Sequence, residues 1–152
     1  MPEKETIERA KRDKREGKSP TTQAGEFVRE EMHHIREGKH GARSAKQAIA
    51  IGLQKARAAG VDLPPPKPGT VSEKTRKSAE SAYERGHGRR GGKSTRRAKA
   101  VLGALKREGH SAASHTALSR QAHAAASARR PPRTALRLCR RRPSCTTSSM
   151  LR

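Results

Sequence analysis

The sequence predicts an all-α protein, with a helical hairpin over about residues 22–60 and further short helices over about 71–85, 94–108 and 114–130. Flexible linkers join them, with substantial disorder and no β-sheet. Three observations lead to this reading. Apolar residues recur at helical spacing in several short segments and nowhere form a strand-like run. Capping patterns and glycines punctuate those segments. Large apolar residues are scarce: Ile, Leu, Val and Phe total 17 of 152 residues. That is well under the roughly 20% below which a highly charged chain stays largely disordered, because little apolar area is available to offset the entropy of ordering it.

The elements follow in chain order. Ile7 to Glu16 is a charged run of good helix formers closed by Gly17. It belongs to a charged N-terminal segment, 1–21, and Ser19-Pro20-Thr21-Thr22 breaks the chain and starts a new cap. In the next segment Val28, Met32 and Ile35 fall at i, i+4, i+7 with Phe27 beside them, one face of an amphipathic helix. Residues 38–43 form a loop, after which Ser44-Ala45-Lys46-Gln47 has the S-x-x-Q form of a capping box. The helix it opens carries Ala45, Ala48, Ile49, Gly52, Leu53 and Ala56 on one stripe, and Gly60 ends it in the left-handed conformation. The two stripes match, with Ala48 and Gly52 permitting close approach, so residues 22–63 read as an αα-hairpin. A DNA-reading helix-turn-helix is the sharper alternative, but its turn is normally about 3–4 residues and this loop is longer.

Leu63-Pro64-Pro65-Pro66-Lys67-Pro68-Gly69 then imposes an extended, semi-rigid spacer. Thr70-Val71-Ser72-Glu73 has the T-x-x-E form of a second box, opening a polar helix that Gly86 ends, all within a Pro- and Gly-rich linker region, 64–93. Such a helix is marginal alone. Ser94 is placed as the cap of a helix with Ala98, Val101, Leu102 and Leu105 on one stripe, and Ser114 opens an Ala-rich helix with Leu118 and Ala122 on one side. These two are expected to form a second, weaker, basic pair over 94–130.

Charge divides the chain. Residues 1–84 carry 18 Lys/Arg against 13 Asp/Glu, whereas residues 85–152 carry 18 Lys/Arg against Glu108 alone. A formal net charge of +22 makes any polyanion a favoured partner. The amino terminus has no apolar run of a secretory signal, no stretch approaches the ~18 apolar residues that span a bilayer, and the expected location is cytoplasmic and nucleoid-associated, with no membrane partner.

The stretch GHGRRGGKST, residues 86–95, resembles a phosphate-cradling loop. A P-loop reads G-x-x-x-x-G-K-[ST], and its opening glycine would fall at His87, so the register fails by one. No strand precedes it. The stretch reads instead as a flexible basic hinge whose cations reach phosphates without fixed register.

The block QAGEFVREEMHHIREGKHGARSAKQAIAIGLQKARAAGVDLPPP, residues 23–66, resembles the signature block of small basic bacterial proteins of unknown function, commonly labelled DNA-binding or plasmid stabilization proteins. The segment ALKREGHSAASHTALSRQAHAAASARR, residues 104–130, is similar to their closing block. The resemblance implies no catalytic residue. After Arg130 the chain departs from that pattern: PPRTALRLCRRRPSCTTSSMLR holds both cysteines and an Arg-rich run. Two readings stand for residues 131–152, a shifted reading frame of a GC-rich gene and a natural disordered basic tail.

His33, His34 and His40 stand near Glu30, Glu31 and Glu37, but H-E-x-x-H spacing is absent and adjacent helical positions point about 100° apart. A solvated helix end is expected there, with no metal ligands. No catalytic or cofactor-binding residue, and no cofactor, is assigned. The assigned nucleic-acid contacts are Arg89, Arg90, Lys93, Arg96, Arg97, Lys99, Lys106, Arg107, Arg120, Arg129 and Arg130. The expected function is non-enzymatic, largely sequence-independent binding of duplex DNA through its phosphates, with a homodimer through the hairpin as a further partner. With Phe27 and Tyr83 the only aromatic residues, base stacking on single strands has little equipment. The alternatives are a protein-interaction module with a basic nucleic-acid-tethering tail, and an RNA- or ribosome-associated protein.

Overall fold

The computed structural model describes residues 2–88 and 94–129. They form six α-helices and one 3-10 turn, with no strand among them: α1 Lys4–Arg15, α2 Pro20–Arg36, α3 Ala45–Ala58, α4 Glu73–Gly86, α5 Thr95–Lys106, the 3-10 turn Ser111–Ala113 and α6 His115–Arg129. None of these helices is long and apolar enough to cross a membrane.

Local chemistry sets the helix starts. Ser19, Ser44, Ser72 and Ser94 each accept a hydrogen bond from the backbone N–H three residues on, which satisfies a first-turn donor that has no partner within the helix. Pro20 opens α2, where its missing N–H costs nothing. At α3 half of the expected box forms: Ser44 Oγ accepts from Gln47 N at 3.3 Å, while Gln47 Oε1 accepts from Arg43 N at 3.1 Å, one residue before the cap, in place of Ser44 N. The box expected at Thr70 does not. Ser72 is the cap of α4, while Thr70 donates its hydroxyl to the Lys67 carbonyl at 2.7 Å, and Glu73 turns to Arg76. Gly17, Gly38 and Gly60 follow the first three helices with φ of 73°, 75° and 89°, a conformation open to them for want of a Cβ.

The α2–α3 hairpin is the centre of the fold, and its pairs run antiparallel: Phe27 with Ala56, Val28 with Gly52, Ile35 with Ala48. α1 packs on α2 and α4 packs on α3. One apolar cluster joins Phe27, Ala24, Ala56 and Val61 to Ala10, with Ile7 and Leu53 against it. The other joins Met32, Ile35, Ala42 and Ala48 to Ala112 and Ala113, with Leu118 against it. Phe27 and Ile35 are 1% and 0% exposed, and each such burial contributes about 1.5–3 kcal/mol.

Three expectations change. The N-terminal segment is not a separate unit, since Ile7 and Ala10 of α1 complete the Phe27 cluster. The polar α4 is not a linker helix, because Ala79 and Ala82 bury against α3 and Tyr83 donates to Asp62 at 2.7 Å. The proline-rich stretch is held at its start, where buried Arg57 donates to the carbonyls of Leu63 and Pro64 at 3.1 and 3.3 Å.

The basic pair over 94–130 also does not form: α5 and α6 do not pack on each other. The segment between them explains why. Gly41 N donates to Leu105 O at 2.9 Å and Ala42 N to Gly109 O at 3.0 Å, which ties the end of α5 to the α2–α3 loop. The following 3-10 turn then buries Ala112 and Ala113 in the hairpin core, and Leu118 goes with them. α6 is thereby committed to α3, and α5 packs on no helix.

Candidate nucleic-acid interface

Acidic groups of the front half are largely taken up internally. Arg9 pairs with Glu26 at 2.8 Å, Lys18 with Asp13 at 2.9 Å and Glu16 at 2.8 Å, Lys39 with Glu37 at 3.0 Å, and Arg76 with Glu73 at 2.6 Å. These contacts hold the Glu37 and Glu73 carboxyls below the usual range, through the hydrogen bonds from Lys39 and Arg76 respectively.

The rear is different. Arg96, Arg97, Lys99, Lys106 and Arg107 are exposed on α5 and at its end, and Arg120 is exposed on α6; none of the six side chains has an ionic or hydrogen-bonding partner among the described residues. No residue of α5 is buried. Val101 and Leu102 stand 53% and 45% exposed, so the stripe expected to pack against α6 faces solvent. Of the other assigned residues, Arg129 is the last residue of α6, while Arg89, Arg90, Lys93 and Arg130 lie outside the described residues.

A second cationic surface was not assigned from the sequence. Arg43 and Lys46 at the start of α3 face Arg120 across a groove of about 430 Å³ that no acidic residue lines. The first turn of α3 has no acidic residue either, so the partial positive charge of that helix end adds to the three cations. The capping box around Ser44 was the available signal: it marks a helix start flanked by Arg43 and Lys46. Arg120 joins them only through the fold. The rest of α3 is less available for base edges, since Gln47 accepts from Arg43 N and Gln54 donates to Ser78 on α4 at 3.1 Å.

The histidine region is not the solvated helix end that was expected. Glu30, Glu31, His34 and His40 are buried, and His33 and Glu37 are the members left outside, 3.0 Å apart. Loop 37–44 folds back so that His40 returns to α2 and stands 3.1 Å from Glu31, a contact that helix periodicity cannot foresee. Ligand atoms of Glu31, His34 and His40 lie within 4.8 Å of one another. No family model matches the chain, and no curated protein or solved structure matches it.

Proposed function

We propose that the protein is a non-enzymatic, largely sequence-independent DNA-binding protein of nucleoid-associated or plasmid-stabilization type, which holds duplex through its phosphates. One observation carries this reading: Arg96, Arg97, Lys99 and Lys106 of α5 and Arg107 at its end are exposed without counter-charge among the described residues, whereas the acidic groups of the front half are largely taken up in internal ion pairs. Each phosphate such a helix neutralises releases condensed counterions, which supplies affinity without reading bases. The resemblance of residues 23–66 and 104–130 to proteins labelled DNA-binding points the same way.

Duplex is favoured over single strands and RNA loops because neither Phe27 nor Tyr83 offers a free stacking face. Phe27 is 1% exposed, and Tyr83 is stacked on His87 with ring centroids 4.0 Å apart. A homodimer through the hairpin loses support, since its apolar stripes are met from within the chain. Exposure of Val101 and Leu102 favours a second reading, a protein-interaction module in which α5 docks on a partner and its cations add nonspecific affinity.

The test is recovery of the full chain from cells after crosslinking to nucleic acid, followed by DNase or RNase. Release by DNase supports the proposal, and release by RNase alone assigns the protein to RNA. In solution, log affinity for duplex falls linearly with log salt, by about 0.9 per phosphate neutralised. Changing Arg89, Arg90, Lys93, Arg96 and Arg97 together to Gln flattens that slope by several units if the reading holds. An unchanged slope defeats it.

A further inference from the structure

We propose that Glu31, His34 and His40, with Glu30 beside them, hold one divalent transition-metal ion of the zinc type. Glu31 and His34 stand at i and i+3 on α2, which places both on one face, the Glu-x-x-His spacing that helical proteins use to direct a carboxylate and an imidazole at one ion. His40 closes the set from the loop. Its Nε2 is 3.1 Å from Glu31 Oε1, close to the separation of about 3.4 Å between two ligands of a tetrahedral ion with bonds near 2.1 Å.

Hydrogen bonds outside the cluster orient both rings. His40 Nδ1 is 3.3 Å from the Gly41 carbonyl, and when it donates there Nε2 presents a lone pair to Glu31. His34 Nε2 is 2.9 Å from Glu3 Oε1, which leaves Nδ1 on the side of Glu30 Oε1, 3.9 Å away. Metal-ligating histidines are anchored in this manner, the outer N–H on a carbonyl or carboxylate and the inner nitrogen on the ion.

Fixed positive charge at the two buried carboxylates is sparse. Glu31 is 0% exposed, its oxygens meet His40 Nε2 and the Lys55 ammonium without well-directed hydrogen bonds, and Glu30 Oε2 has no donor among the described residues. Lys55 Nζ lies 2.5 Å from Glu31 Oε2 and 3.7 Å from Glu30 Oε1, so one ammonium serves two buried carboxylates. When Nε2–H of His40 is the donor, its contact with Glu31 Oε1 is a hydrogen bond from a neutral ring; when Nδ1–H is, the lone pairs of His40 Nε2 and Glu31 Oε1 face each other across 3.1 Å and leave a place for a positive charge. A bound dication supplies it, with Lys55 kept on the opposite oxygen. Two imidazoles with carboxylate suit zinc and its neighbours, whereas calcium and magnesium prefer shells of oxygen alone. The other occupant is a proton on His40, which forms an imidazolium–carboxylate pair and binds no metal.

The experiment uses the full chain, stripped with a chelator and titrated with Co2+ at pH 7.5. Expected are one equivalent bound, visible d–d absorption of a four-coordinate nitrogen and oxygen site, displacement by Zn2+, and a rise in melting temperature with metal. His40→Gln and Glu31→Gln weaken binding about a hundredfold or more, beyond the 10–100-fold typical of losing an outer-shell partner. His33→Gln, one position away and exposed, leaves it unchanged. Joint replacement of Cys139 and Cys145 by Ser also leaves it unchanged, which separates the cluster from thiols in the C-terminal sequence. Should the ligand variants fail to fold, the spectrum and melting shift of the double Ser protein decide. Absence of micromolar Co2+ or Zn2+ uptake by that folded protein, or equal binding by folded His40→Gln, overturns the proposal in favour of the proton.

Discussion

Gly52 on α3 lies directly against the backbone of Val28 on α2, where a Cβ would stand 2.7 Å from Val28 Cα and 2.9 Å from its Cγ2. The two helices approach this closely because position 52 has no side chain. Gly25 on α2 has nothing within 4 Å of the same construction. Replacing Gly52 by Ala therefore destabilises the fold by about 1–3 kcal/mol through overpacking. Gly25→Ala stabilises it by about 0.5–1 kcal/mol through helix propensity alone. Urea unfolding of the two variants checks the opposite signs, and equal effects would show that α2 and α3 do not meet here.

The Phe27 cluster depends on α1. Phe27→Ala is expected to cost about 3–5 kcal/mol, as for other large aromatic residues removed from a core. Ala10→Glu places a charge where the residue is 5% exposed, and it detaches α1. Removal of residues 1–18 should lower the melting temperature of the whole fold. A helical peptide of residues 20–64 melts less cooperatively than residues 1–88, because it lacks Ile7 and Ala10 on one side and α4 on the other. Circular dichroism on the two fragments distinguishes a self-sufficient hairpin from a four-helix unit.

Tyr83 is the only tyrosine, so its ionisation can be followed by ultraviolet absorption without interference. Its pKa is raised above the usual 10.0, first by the hydrogen bond it donates to Asp62 and then by burial and the nearby charge. A raised folded-state value means that this tie is fully present below the unfolded pKa and is lost as pH rises through the folded one. α4 should therefore loosen in strong alkali and not near neutrality. Asp62→Ala brings the phenol midpoint back toward 10.0; a midpoint that stays raised would mean that Asp62 is not its cause.

Arg43, Lys46 and Arg120 test the groove. Replaced together by Gln, they should reduce the salt slope of duplex binding by up to about 2.7, at 0.9 for each of three phosphates. Stability should change by no more than about 1 kcal/mol, since all three are exposed and the Arg43–Glu108 contact is 3.9 Å long. A salt titration of the triple variant decides. A slope unchanged while the α5 substitutions flatten it would confine binding to α5 and the hinge.

The sequence by itself determined the helices, their caps and the central hairpin, because these depend on residues within about one turn or on stripes that recur every 3.6 positions. Ser44 and Gly60 do what their local chemistry requires, Gln47 reaches back one residue further than its box requires, and Gly52 meets a backbone where its small size was read as permitting one. It also placed the excess cations, since charge composition needs no fold. Tertiary structure decided which surfaces meet. α5 and α6 have matching stripes but are kept apart, because a few backbone hydrogen bonds at Gly41 and Ala42 and two buried alanines in the 3-10 turn commit the intervening chain elsewhere. Arg120 joined Arg43 and Lys46 from more than seventy residues away. His40 came to Glu31 through a loop, whose path follows from long-range packing and not from any period in the sequence.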